Sequence, residues 1–123
     1  SVDVLVVSFH WGNEYSPANA HQEKLAHTVI DAGADIVVGH HPHVMERVEV
    51  YNDKLIFYSL GNFIFDQYFS PHTMHGMVAH VSIDPETKAL TTTQEVSELS
   101  KQYVPQIPIP YDPSMLVTKT FTP

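Results

Sequence analysis

The chain has no cysteine, which excludes disulfide staples, thiolate metal sites and cysteine nucleophiles at once. Basic residues are scarce: six lysines and arginines stand against fourteen acidic residues, for a formal net charge of -8, and Arg47 is the single arginine. A surface that tracks a phosphate backbone is therefore not expected, and no nucleic acid is expected as a partner. No apolar run approaches the roughly 20 residues of a membrane-spanning helix. Nor does the N-terminus carry a basic start followed by an apolar block and a cleavage site. The chain is expected to be soluble. Disorder is excluded by composition, since 43% of the 123 residues are hydrophobic and only 16% are charged, enough for one modest core.

Histidine is what the chain has in excess. There are nine, and His10, His40, His41 and His43 fall in two short segments. With thiolates absent, any metal must sit on His, Asp, Glu or Asn.

Residues 4–9 (VLVVSF) form a nearly unbroken apolar, β-branched run, which predicts a strand covered on both faces in a parallel sheet. Ser16-Pro17 has the chemistry of a helix N-cap followed by proline at the first helical position. Leu25, Ala26, Val29 and Ile30 then make one apolar face up to Gly33 as the stop, predicting a helix of roughly four turns. Residues 35–39 (DIVVG) read as a second short strand, so the segment spells a βαβ unit with a parallel pair. Residues 48–51 and 54–58 flank Asn52-Asp53 as a tight hairpin, and residues 77–83 and 90–96 flank a turn containing Pro85 as another. From Tyr103 onward, prolines at 105, 108, 110, 113 and 123 predict an extended tail over residues 101–123.

The two strands of a βαβ unit point the same way, and ligands of open α/β sheets bind outside the carboxyl ends of the strands. His10 follows the first strand and His40, His41 and His43 follow the second, so imidazoles from distant segments are delivered to one rim. Pro42 biases His41 toward extended angles, and residues two apart in an extended chain project to the same side. His41 and His43 are therefore expected to face one site together. A lone histidine near a strand end is usually a satisfied polar residue; the grouping is what points to Zn, Fe, Mn or a similar ion.

Residues 10–15 (HWGNEY), 39–44 (GHHPHV) and 58–67 (YSLGNFIFDQ) resemble, in order and spacing, the second half of the bacterial capsule synthesis (poly-γ-glutamate biosynthesis) CapA family, which in turn resembles the calcineurin-like metallophosphoesterases. The resemblance implies an α/β fold that is part of a four-layer α/β/β/α sandwich, with the βαβ unit followed by β-hairpins, and residues 1–100 forming the C-terminal half of the domain. It implies a divalent transition metal centre, two ions of Mn, Zn or Fe, with His10 as the isolated histidine and His41 and His43 as the paired ligands. His40 is then a ligand-supporting or substrate-facing group, because aligning it with the first of the pair would put Pro42 where the second should be. Such sites also use an aspartate at the end of an upstream strand, a bridging aspartate and an Asn-His pair. Upstream of His10 there is only Asp3, about 20 Å away at roughly 3.3 Å per residue. The missing N-terminal half of the same domain is thus an expected partner.

The implied reaction is hydrolysis of a phosphoester or amide through a metal-bound hydroxide. Glu14 or His40 would serve as general acid or base, the plain alternative for Glu14 being a solvated loop carboxylate. Trp11 and Tyr15 would either wall the pocket of the substrate, an anionic polymer or a phosphoester, or pack in the core as large aromatics do by default; Asn62 and Asp66 would either contact that substrate or serve as the turn-forming ends of a packed Phe63-Ile64-Phe65 stretch. The alternative is a non-catalytic, metal-stabilised scaffold in the polymer synthesis and export machinery. By the same resemblance the whole protein would lie at the cell surface, held by a membrane anchor and working with capsule synthesis membrane proteins.

Overall fold

The computed structural model describes residues 2–123. Its first unit is the expected βαβ: β1 (Val6–His10), α1 (Ala20–Asp31) and β2 (Ile36–His40), with β1 parallel to β2 from Val6↔Ile36 to His10↔His40. The hairpin of β3 (Val48–Tyr51) and β4 (Lys54–Phe57) joins the same sheet, because β4 lies parallel to β2 on its other side, giving the order β1-β2-β4-β3. Asn52 and Asp53 close the hairpin with φ of 49° and 58°, the left-handed pair that two-residue turns favour and that short polar side chains tolerate.

A second sheet holds β5 (His75–Ile83), β6 (Leu90–Leu99) and β7 (Pro105–Ile109) in that order. β7 corrects the expectation of an extended proline tail. It pairs antiparallel with β6 (Val96↔Ile109, Glu98↔Gln106), and it can contain Pro105 and Pro108 because a sheet edge does not need every backbone donor.

The helix also begins later than its sequence signal. Asn19, not Ser16, is the cap: its side chain accepts from the backbone N–H groups of His21 and Gln22, and Gln22 Oε1 accepts from Asn19 N at 2.9 Å. This reciprocal box satisfies donors that the first helical turn leaves free. Ser16 is instead buried in the preceding turn, donating to Glu14 O at 3.0 Å, and the helix is twelve residues long, about three turns.

Three layers result. Val37, Ile56 and Tyr58 pack with Ala26 and Ile30 of α1 on one face of the first sheet. Ile36, Leu55 and Phe57 pack with Met77 and Val96 of the second sheet on the other. Each fully buried aliphatic side chain there contributes about 2 kcal/mol. The fold is mixed α/β with two sheets and, among the described residues, one α-helix. β1 departs from the expectation of a doubly covered strand. Val7 and Phe9 meet the helix side, but Val6 is 54% exposed, since β1 is an edge strand whose other face the second sheet does not reach.

Candidate metal centre

β1 and β2 end together, with His10 and His40 as register partners, and the loops that follow them are laced to each other. Trp11 N donates to His40 O at 3.0 Å and Tyr15 N to Pro42 O at 2.9 Å. Trp11 is 7% exposed, stacks between Phe9 and Tyr58, and donates Nε1–H to Tyr58 O at 2.8 Å. That bond crosses β2 at Gly39, where a Cβ would lie 1.9 Å from Tyr58 O and 2.3 Å from Trp11 Nε1, a close approach only glycine permits. Trp11 is therefore a core residue whose donor is already used, the placement large aromatics take by default.

The histidine loop does not run extended as Pro42 suggested. His41 has φ of 104°, His43 60° and Tyr15, on the facing loop, 58°. Left-handed backbone costs a non-glycine residue about 1–2 kcal/mol and persists only where the surroundings over-determine it. Three such residues face one another here, and the rings of His41 and His43 come together through this bend and not through strand-like alternation.

Glu14, His41 and His43 each offer a ligand atom within 4.8 Å of the others. His43 Nε2 lies 3.9 Å from Glu14 Oε1, too far for a hydrogen bond and near enough for both to reach one ion. His41 and His43 are half-buried and Glu14 is exposed. His10 stands beside this trio, its ring centroid 4.6 Å from that of His41. His40 is directed elsewhere: it is exposed and lines a recess with Leu60, Gly61, Phe63 and Met77.

Of the remaining candidates, Tyr15 lies at the rim, its ring 6.4 Å from that of His43 and edge-on to Phe69 at 5.1 Å. Burial raises its hydroxyl above the ordinary value, as does the Glu14 charge, against the hydrogen bond from Gln67. Asn62 is buried and meets His43 Nδ1 through Oδ1 at 3.0 Å. Asp66 is exposed in a stretch where Phe63, Ile64, Phe65 and Phe69 are also exposed, and Phe65 lies against His43, centroids 4.6 Å apart.

Two residues were not among the candidates, although Gln67 ends the 58–67 motif. Gln67 joins Asn62 to the Tyr15 hydroxyl, a contact across 52 residues. Glu46, three residues past His43, is 1% exposed and accepts from Gln22 Nε2 at 2.9 Å, while its Oε1 has no partner. Burial pushes its carboxyl up to about 7, against the Gln22 hydrogen bond and the Arg47 charge.

An edge-exposed α/β sheet with imidazoles and a carboxylate gathered at its carboxyl rim defines the class: a candidate cation site of the kind open α/β sheets build at strand ends. Residues 1–67 match the family described as bacterial capsule synthesis protein PGA_cap, and the chain belongs to that family. Over 66 residues it is 62% identical to the PGA biosynthesis protein CapA of Bacillus subtilis, covering 53% of this chain and 17% of that protein. Over 68 residues it is 56% identical to the capsule biosynthesis protein CapA of Bacillus anthracis, covering 54% and 16%. A probable polyglutamine synthesis accessory protein of Mycobacterium tuberculosis is 36% identical over 92 residues, covering 74% and 22%. The aligned stretch thus spans between about a sixth and about a fifth of each of these relatives.

Proposed function

We propose that this chain carries the histidine-bearing part of a metal-dependent hydrolase-like site in a protein serving poly-γ-glutamate capsule synthesis. The observation that supports the reading is the trio of Glu14, His41 and His43, whose ligand atoms lie within 4.8 Å of one another. Two neutral imidazole nitrogens and one carboxylate oxygen suit a divalent transition ion such as Mn, Zn or Fe, and the strained φ values at His41 and His43 fit a loop bent to present them. Such an ion would polarise a phosphoryl or carbonyl oxygen and make a water nucleophilic at neutral pH.

The chain's own residues hold and surround that position. His41 and His43 would bind the ion and Glu14 would complete the set, leaving His10 to a neighbouring second ion. The rest of that ion's ligands, and the fourth layer of an α/β/β/α sandwich, would come from the N-terminal half of the domain. The open edge of β1, with Leu5 43% and Val6 54% exposed, fits such a continuation. Within this scheme residues 1–100 belong to the domain's C-terminal half, and residues 101–123 contribute β7 to its second sheet. Tyr15, at the rim, is the side chain best set to meet an anionic substrate oxygen, with Asp66 and His40 further out. With a net charge of -8, attraction of an anionic polymer or phosphoester falls to the cation. No helix among the described residues is long and apolar enough to cross a membrane. Attachment at the cell surface beside capsule synthesis membrane proteins would therefore use other parts of the protein.

Elemental analysis of the intact protein, followed by a hydrolysis screen on phosphoesters and poly-γ-glutamate, tests the reading. Stoichiometric divalent metal that disappears in His41→Ala and His43→Ala is expected, together with metal-dependent turnover. Metal without turnover would favour the scaffold role, and wild-type protein free of metal after incubation with Mn, Zn and Fe would end the proposal.

A further inference from the structure

Asn62 is 5% exposed, and both polar atoms of its amide are engaged. Nδ2 lies 2.9 Å from the Thr73 carbonyl oxygen and 3.3 Å from Gln67 Oε1, while Oδ1 lies 3.0 Å from His43 Nδ1. A backbone carbonyl can only accept, so the end facing Thr73 is the NH2 group and the amide oxygen faces the imidazole. That oxygen can only accept in its turn, so the hydrogen of neutral His43 is on Nδ1. Its Nε2, the nitrogen 3.9 Å from Glu14, keeps its lone pair.

From Asn62 the chain of hydrogen bonds also runs outward to Tyr15. Gln67 Oε1 accepts from Asn62, so Gln67 Nε2 donates to the Tyr15 hydroxyl at 2.9 Å. The phenolic oxygen is thereby an acceptor, and among the described residues nothing takes its hydrogen. One peptide carbonyl, that of Thr73, sets the direction of every bond from His43 to Tyr15.

We propose that Asn62 is a positioning residue that locks His43 as the Nδ1–H tautomer, so that Nε2 presents a lone pair to the rim, and that through Gln67 it leaves Tyr15 as a free hydrogen donor. The rim then has two unlike ends: a lone pair suited to a cation, and an O–H suited to a carboxylate or phosphoryl oxygen. The tautomer is set before any ligand binds; only its use rests on the metal site proposed above. Asn62 has no amide atom left without a partner, which separates this role from direct contact with substrate.

The test is nitrogen NMR of the full chain with 15N-labelled histidine, without metal, the His43 signals being assigned by their loss in His43→Gln. Histidine in water favours the Nε2–H form, so a protonated Nδ1 and an unprotonated Nε2 at His43 are expected only if the lock exists. Asn62→Leu should shift that pattern toward Nε2–H and weaken zinc binding about 10–100-fold. An unprotonated Nδ1 in the wild type, or an unchanged pattern in Asn62→Leu, would overturn the proposal. If Asn62→Leu does not fold, the wild-type spectrum still decides it. A wild type with Nδ1–H that takes up no zinc would remove the metal reading and leave the lock standing.

Discussion

His27, on α1, has Nε2 2.8 Å from Glu49 Oε1 and its ring stacked flat on Tyr51, centroids 3.8 Å apart. His43, on the rim, has Nε2 3.9 Å from Glu14 Oε1 and its ring tilted beside Tyr15 at 6.4 Å. The residue types are the same and the outcomes differ. Around His27 the valences close: Glu49 Oε2 also receives Tyr58 OH at 2.6 Å and Arg47 Nη1 at 3.3 Å, and the Arg47 guanidinium lies 4.4 Å over the Tyr58 ring. Burial alone would push the Glu49 carboxyl up, but hydrogen bonds from Tyr58 and His27 and the nearby charges hold it below the usual range. Around His43 the nitrogen turned to the carboxylate is too far away to bond it. Histidine beside glutamate and tyrosine is a structural brace when distances let every donor find an acceptor, and a candidate site when they leave a gap.

The two histidines should differ most in their response to substitution. His43→Ala and His41→Ala are expected to lower zinc affinity more than about 100-fold, beyond what loss of a supporting hydrogen bond costs, whereas His27→Ala should leave it unchanged. Titration calorimetry on the intact protein reads both, and equal losses would refute the distinction.

Next in size is the contrast between Glu46 and Glu49. The folded state raises Glu46 from 4.5 to about 7, so the native protein holds a proton that the unfolded chain has released. Stability therefore falls as pH climbs through that window. The sign is opposite for Glu49, whose lowered value gives stability above the unfolded pKa that is lost as pH falls. Glu46→Gln should accordingly stabilise the protein at pH 8 by on the order of 2–3 kcal/mol, with little change at pH 4, in urea unfolding followed by circular dichroism. No gain at pH 8 would mean that Glu46 is ionised without penalty. The smallest effect belongs to the closed cluster: His27→Ala should cost about 1 kcal/mol of unfolding free energy in the same assay, and a cost several times larger would make His27 more than a brace.

Much of the frame was legible because its determinants are local. The apolar runs of β1 and β2, Asn52-Asp53 between β3 and β4, and Pro85 in the turn before β6 each act over a few residues. What escaped is set at a distance. β4 lies beside β2 because Leu55 and Phe57 complete the core face begun by Ile36, and β7 exists because β6 offers it a free edge. Asn19 displaced Ser16 as the helix cap once Gln22 could close the box. At the rim, His10, His41 and His43 could be grouped from strand order alone. The left-handed turn at His41, the use of Trp11 in the core, and the Asn62 and Gln67 relay depend on contacts between loops that no spacing rule encodes.

The missing side chain at Gly39 has a reach well beyond its own position. It lets the first loop and the end of the β3–β4 hairpin clasp each other across the central strand, so a displacement of Tyr58 would tug on Trp11 and, through it, on its neighbour His10. The imidazole of His10 is thereby moored to the buried cluster of Trp11, Val37 and Tyr58. Side chains at the loop tips can change without loosening that mooring, while a single methyl group at residue 39 would cast it off.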